Sequence, residues 1–369
     1  MGEELNIETI RINIAELSKK GYQFIKQNRL EEAEENFRRI LEVEPQNTYA
    51  LVGLGDSARK RGDFTRAIGY YQECLAHHAD NNYALFGLAD SYKALKQYQK
   101  AIDIWEKYLE KDEKNITVLT RIADAYKKVR NFTKSKEIYL KALDMEPENP
   151  YALIGLGYLH FDFKYYEEAT RYWRKVLTLE GNRQNIKILT ALGNCHRKLK
   201  TFETGLDYFN KALDLEPDNF YALFGIADCY RGMKAHEESL KYWHQILSFD
   251  PNNKVILTRT GDAYRNMGSL DEAEDYYHKA LNVGFDAYAV LGLALINKER
   301  GKYAESIESL EKLMRNDPKN ARLHHIVAEC YVELGNKERS IEILTDFLKT
   351  GIRNSYITDL LDSLKGNGT

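Results

Sequence analysis

The chain has 369 residues, 43% of them apolar and 30% charged, with 26 Tyr, only 6 Pro and a net charge of −3 at pH 7. Such a composition suits a helix-rich soluble protein, and the lack of excess positive charge argues against nucleic acid as a principal partner. No apolar run approaches the length of a membrane span, and Cys74, Cys195, Cys229 and Cys330 are too scattered for a disulfide framework, which points to a reducing cytoplasm.

Residues 1–13 form an N-terminal segment. The start, MGEELNIETIRINIAELSKK, is acidic and amphipathic, without the basic, apolar, small-residue order of a secretory signal. From residue 14 the chain repeats. With residues 82–115 as a 34-residue ruler, Leu85, Leu88, Ala89, Tyr92, Ala101, Trp105 and Tyr108 stand at positions 4, 7, 8, 11, 20, 24 and 27, and the same order of sizes returns from residue 116. Ten units follow in register: 14–47, 48–81, 82–115, 116–149, 150–185, 186–219, 220–253, 254–286, 287–320 and 321–354. Residues 355–369 are a C-terminal capping helix and tail, with Ile357, Leu360, Leu361 and Leu364 on one stripe.

Positions 4, 7, 8 and 11 make one stripe of a first helix, and 20, 24 and 27 one stripe of a second. Small residues at position 8, such as Gly157, Gly193, Ala227 and Gly261, let the two approach closely. Pro45, Pro147, Pro217, Pro251 and Pro318 fall at position 32, where the missing donor ends the second helix. Around Gly181 the register gains two residues, and around Gly284 it loses one. Both joints use Gly in place of that proline, and are read as altered joints in one continuous solenoid. The units also pair: Trp105, Trp173 and Trp243 hold position 24 of alternate units, with Tyr139, Phe209 and Tyr277 between them.

The order Leu, Gly or Ala, Tyr, Ala, Phe and Pro at these offsets resembles the tetratricopeptide repeat, over almost the whole chain. The resemblance implies an all-α fold, a right-handed α-α superhelix of ten helix-turn-helix repeats. No helix buries its stripe alone, so stability comes from nearest-neighbour stacking.

In the family so resembled, first helices line a concave groove with positions 2, 5, 6, 9, 12 and 13. Carried onto this chain, position 9 gives Asp56, Asp90, Asp124, Asn194, Asp228 and Asp262, and position 12 gives Arg59, Lys93, Lys127, Arg197, Arg231 and Arg265. Each acid lies three residues before its base, a spacing that pairs them along one helical face for about 0.2–0.5 kcal/mol. The middle unit departs from this, with Tyr151, Ile154, Tyr158 and Phe161 at positions 2, 5, 9 and 12. Such aromatic anchors are worth about 2 kcal/mol or more each, which makes this patch the candidate hot spot. The competing reading packs Tyr158 and Phe161 against the first helix of repeat six. Binding predicts that Tyr158→Ala with Phe161→Ala leaves the melting curve nearly intact. Tyr83 and Tyr221 at position 2, Phe86 and Phe224 at position 5, and Arg121 and Arg259 at position 6 complete the candidate groove.

The chaperone-docking branch of that family clamps a terminal carboxylate with Lys, Asn and Arg. Here only Asn194 and Arg259 fall at suitable places, with Val255 and Gly225 where Lys and Asn are needed. A glycosyltransferase-type Asn ladder at position 6 is absent too. No phosphate loop, HExxH, CxxC or nucleophile elbow is present, and the 9 His are dispersed. The reading is therefore a scaffold that holds peptide or helical segments of protein partners, with no catalysis, cofactor, metal, nucleic acid or membrane insertion, as a monomer or weak homodimer. The alternative is an architectural subunit that associates through its convex face and ends.

Overall fold

The computed structural model describes residues 2–182 and 184–366, with side chains from residue 14 onward. Among the described residues there are 21 helices and no strand. They form two compact units that divide between Arg183 and Gln184, inside the altered joint around Gly181. Unit 1 holds α1 (Gly2–Lys26), α2 (Leu30–Val43), α3 (Thr48–Arg61), α4 (Phe64–His77), α5 (Asn82–Ala94), α6 (Tyr98–Leu109), α7 (Ile116–Lys128), α8 (Phe132–Met145), α9 (Pro150–Asp162) and α10 (Tyr166–Thr178). Unit 2 holds α11 (Ile186–Lys198), α12 (Phe202–Leu215), α13 (Phe220–Gly232), α14 (His236–Phe249), α15 (Lys254–Asn266), α16 (Leu270–Val283), α17 (Ala287–Glu299), α18 (Tyr303–Asn316), α19 (Ala321–Glu333), α20 (Lys337–Leu348) and α21 (Ser355–Gly366). Within each unit every helix packs on the next in sequence, the stacking of a solenoid of helix pairs.

Each first helix from α3 onward starts on a side-chain cap that the apolar pattern does not reveal. Asn47, Asn81, Asn115 and Asn149 in unit 1, and Asn185, Asn219, Asn253 and Asn320 in unit 2, accept the backbone N–H three residues on. Asp286 does the same for α17 at the shortened joint. A cap of this kind contributes about 1 kcal/mol. Between the two helices of every repeat one residue sits at positive φ. In four repeats it is Gly62, Gly268, Gly301 or Gly335, and in the others Asn or a basic residue such as Lys96 or Lys234 takes that left-handed turn.

The position-24 side chain is the centre of each repeat: the rings of Phe37, Tyr71, Trp105, Tyr139, Trp173, Phe209, Trp243 and Tyr277 in the first eight, and Leu310 and Leu344 in the last two, are all 0% exposed. Its shape explains the alternation seen in the sequence. Where it is Phe or Tyr, the ring lies against a position-6 glycine of the next repeat. A Cβ added to Gly53, Gly87, Gly155, Gly225 or Gly292 would meet that ring at 2.2–2.4 Å. Glycine there lets successive first helices touch, as in α1 with α3, α3 with α5, α7 with α9, α11 with α13 and α15 with α17. After Trp105 and Trp243 the position-6 residue is Arg121 or Arg259, and α5 and α7, like α13 and α15, stand further apart.

In unit 2, α21 closes the stack. Ile357, Leu361 and Leu364 are buried on Ala328, Leu344 and Phe347, so the apolar stripe that a self-association surface would need is consumed as a cap. The four cysteines are buried at packing positions, and burial pushes the Cys229 thiol up to about 12.

His160, only 3% exposed, donates from Nδ1 to the Leu156 carbonyl at 2.8 Å and lies among Phe132 and Tyr172. Burial holds its imidazolium pKa below the ordinary value, and Lys136 adds to this. The folded chain keeps the ring neutral while the unfolded chain protonates it near pH 6.5. Its contribution to stability is thus complete above about pH 6.5 and is lost as pH falls towards the folded pKa. Thermal melts of the wild type are expected to lose stability between pH 7 and 5 more steeply than those of His160→Phe. Parallel pH profiles would remove His160 from that role.

Candidate functional site

The sequence-expected groove residues of unit 1 lie on α3, α5, α7 and α9. A hollow of about 610 Å³ there is lined by Lys93, Arg121, Asp124, Lys127, Tyr151, Ile154 and Tyr158, together with Thr117, Thr120 and Asn149. A second, of about 460 Å³, opens at the wide joint between α5 and α7 and adds Arg59, Asp90 and Lys128. The sequence-expected residues of repeats three to five are thus brought largely together. Thr117 and Thr120 stand at groove positions 2 and 5 of repeat four and Asn149 at the phase of the recurring Asn, but none of the three was singled out from the sequence. A third hollow joins Tyr22, Tyr49, Asp56 and Tyr83.

The central aromatic patch is not free-standing. Tyr151 is 74% exposed and Ile154 is half-buried on the wall. The Tyr158 ring, by contrast, stands edge-on to Trp173 at 5.0 Å, and Phe161 lies 5.9 Å from Trp173 and 5.4 Å from Tyr166. Both rings therefore brace the core of their own repeat. Double truncation of Tyr158 and Phe161 opens a gap beside Trp173, so an intact melting curve is no longer expected of that variant. Lys127 holds its Nζ 5.7 Å over the Tyr158 ring and 3.1 Å from Asp124.

The charged ladder is also wired differently from simple pairs along each helix. Asp56 with Arg59, Asp124 with Lys127 and Asp228 with Arg231 pair within their helices at 3.2, 3.1 and 2.7 Å. Asp90 does not pair with Lys93: Arg121 of the next repeat takes it while stacking 4.7 Å over Phe86. Nor does Asp262 pair with Arg265, which reaches Glu299 at 2.8 Å. Asp262 instead accepts the buried Tyr277 hydroxyl at 2.8 Å, as Asp56 accepts Tyr71 and Asp124 accepts Tyr139, at 2.7 and 2.6 Å. Burial and the adjacent carboxylate push these three phenols well above the usual tyrosine range. A Tyr-centred repeat thus fixes its position-9 acid from below.

In unit 2, Asn194 accepts from Arg197 at 3.0 and 3.2 Å, and Arg197 in turn reaches Asp228. Tyr221 is 70% exposed, while Phe224 packs edge-on to Trp243 at 5.2 Å. At Gly225, where a carboxylate clamp would need Asn, a Cβ would lie 2.2 Å from Phe209, so no side chain fits.

No helix among the described residues is long and apolar enough to cross a membrane. No curated protein sequence matches the chain. Among solved structures, yeast Tom70 is similar over 96% of each chain, with 13% identity and a TM-score of 0.51, a likeness of fold. Pseudomonas aeruginosa PilF matches 58% of this chain and 96% of its own, with 17% identity and a TM-score of 0.49. MamA matches 46% of this chain and 91% of its own, with 23% identity and a TM-score of 0.42. Profiles of the tetratricopeptide repeat match residues 19–76, 53–116, 120–178 and 258–321, and further ones match 186–219, 221–253 and 298–350. Stacked helix pairs, a glycine or alanine under each central ring and these matches along most of the sequence agree: the chain belongs to the tetratricopeptide-repeat family.

Proposed function

We propose that the chain is a protein-interaction scaffold that takes a peptide or helical segment of its partner into the groove of unit 1. The observation that carries this reading is the hollow of about 610 Å³ in which exposed Tyr151 and half-buried Ile154 stand beside Lys93, Arg121 and Lys127. Tyr151 is 74% exposed, and an aromatic beside a concave wall is the usual form of an anchor. Family membership supports the general role. On this reading the chain works in the cytoplasm as a monomer or weak homodimer, without catalysis or a cofactor.

Tyr151→Ser with Ile154→Ser removes the anchor and leaves Trp173 covered. The variant is expected to melt within a few degrees of the wild type and to lose the proteins that the wild type captures from source lysate. An unchanged set of captured proteins would move recognition elsewhere.

A further inference from the structure

We propose that the chain carries two equivalent docking sites for extended acidic peptide segments, one in each unit, centred on Asp90 and on Asp228. The inference rests on the scaffold reading and names the chemistry of what is held.

The two sites are the same constellation written twice. In unit 1, Asp90 on α5 is surrounded by Arg59 on α3, Lys93 on α5 and Arg121 on α7. In unit 2, Asp228 on α13 has Arg197 on α11, Arg231 on α13 and Arg259 on α15 at the same repeat positions. Tyr83 and Phe86 flank the first, Tyr221 and Phe224 the second, and both sit at a joint that Trp105 or Trp243 holds open.

In unit 1 the hollow around Asp90 is lined by Arg59, Lys93 and Arg121 together with Asp124, and Arg59 is also held by Asp56 at 3.2 Å. Asp90 takes Arg121, with Arg59 at 4.0 Å, and Lys93 is in no ion pair. Asp228, 5% exposed, takes Arg197 and Arg231, and Arg259 is in none. Tyr-centred repeats do not build this, because the tyrosine hydroxyl already holds the acid and position 6 is not free for an arginine at the glycine joint after them. The third Trp repeat lacks it as well, having Tyr158 at position 9 and Ala191 at position 6 of the next repeat. In these two repeats, where Trp replaces Tyr and Arg follows, cations outnumber the acids they meet, in a chain of net charge −3.

The arrangement suits carboxylate side chains along an extended segment. The cations are carried by three successive first helices, of which the first two pack together, α3 on α5 and α11 on α13. Neighbouring packed helices lie about 8–10 Å apart, a span that an extended chain covers in about three residues; the third helix stands further off. The exposed tyrosine on the rim of each site, Tyr83 at 79% and Tyr221 at 70%, offers an apolar step between acidic ones.

The probe is an acetylated, amidated (Glu-Ser-Pro)4 peptide, titrated calorimetrically into the full chain at low salt, beside its Gln counterpart. Two peptides per chain are expected, with binding that weakens as salt rises and is at least tenfold weaker for the Gln peptide. Lys93→Ala should weaken one site about tenfold and Arg259→Ala the other, the equivalent of one charge-assisted contact each. The double variant should weaken both. Neither residue is in an ion pair, so the melting curves should stay put, and Arg259→Lys should restore most of the binding. Equal binding of the Gln peptide, no binding at millimolar concentration, a single site, or a double variant that binds like the wild type would each overturn the proposal. Were that to happen while Tyr151→Ser with Ile154→Ser still lost its partners, the scaffold reading would stand and only the acidic-segment inference would fall.

Discussion

Trp173→Ala is expected to destabilise unit 1 by about 3–5 kcal/mol, the range for truncating a fully buried aromatic. The indole is 0% exposed, and both Tyr158 and Phe161 rest on it. Its loss leaves a cavity and two rings without a support, so the wall of the groove should fail together with the core of repeat five. In a solenoid the effect stays with neighbouring repeats. Urea unfolding followed by circular dichroism should accordingly broaden, with an early step absent from the wild type, and partner capture should fall even below the midpoint of that step. A loss under about 1 kcal/mol would mean that the neighbouring side chains collapse into the hole, and would separate the groove from the core beneath it.

The second large effect is expected from adding a single methyl group. In Gly155→Ala the new Cβ would sit 2.3 Å from Cε1 of Tyr139, a ring that is fully buried and tied to Asp124 by its hydroxyl at 2.6 Å. Neither ring nor helix has room to yield, so overpacking of about 1–3 kcal/mol is expected, outweighing the better helix propensity of alanine. The disturbance should reach Asp124, and through it Lys127 above Tyr158. Gly69 in α4 is the control, because a Cβ there meets nothing within 4 Å. Gly69→Ala should stabilise by about 0.5–1 kcal/mol. If the two variants shifted the melting temperature in the same direction, the close approach of first helices would not depend on glycine at position 6.

Some of this was legible and passed unread. An Asn precedes nearly every first helix at the same phase of the repeat, yet it carries no apolar signal and shows its meaning only as a cap. The glycines at position 6, Gly53, Gly87, Gly155, Gly225 and Gly292, recur in the sequence too. Their reason appeared only with the Phe or Tyr ring of the preceding repeat lying over them. Of the aromatic patch of repeat five, Tyr151, Ile154 and Tyr158 line a hollow, while Tyr158 and Phe161 also lean on Trp173. Sequence spacing puts Tyr158 and Phe161 on a groove face, but not whether a ring stands clear of the core or leans on Trp173.

By itself the sequence determined what is local. A stripe every three or four residues makes a helix, and a break after each stripe makes a pair. A recurrence every 34 residues makes a stack, because each pair buries its apolar face only against the next. Tertiary structure decided the electrostatics of the groove. Arg121 and Asp90, like Arg197 and Asp228, are 31 residues apart in sequence, beyond the reach of spacing rules along one helix. Which acid a base takes depends on how far apart a ring at position 24 holds successive helices, and that distance exists only once the repeats have stacked.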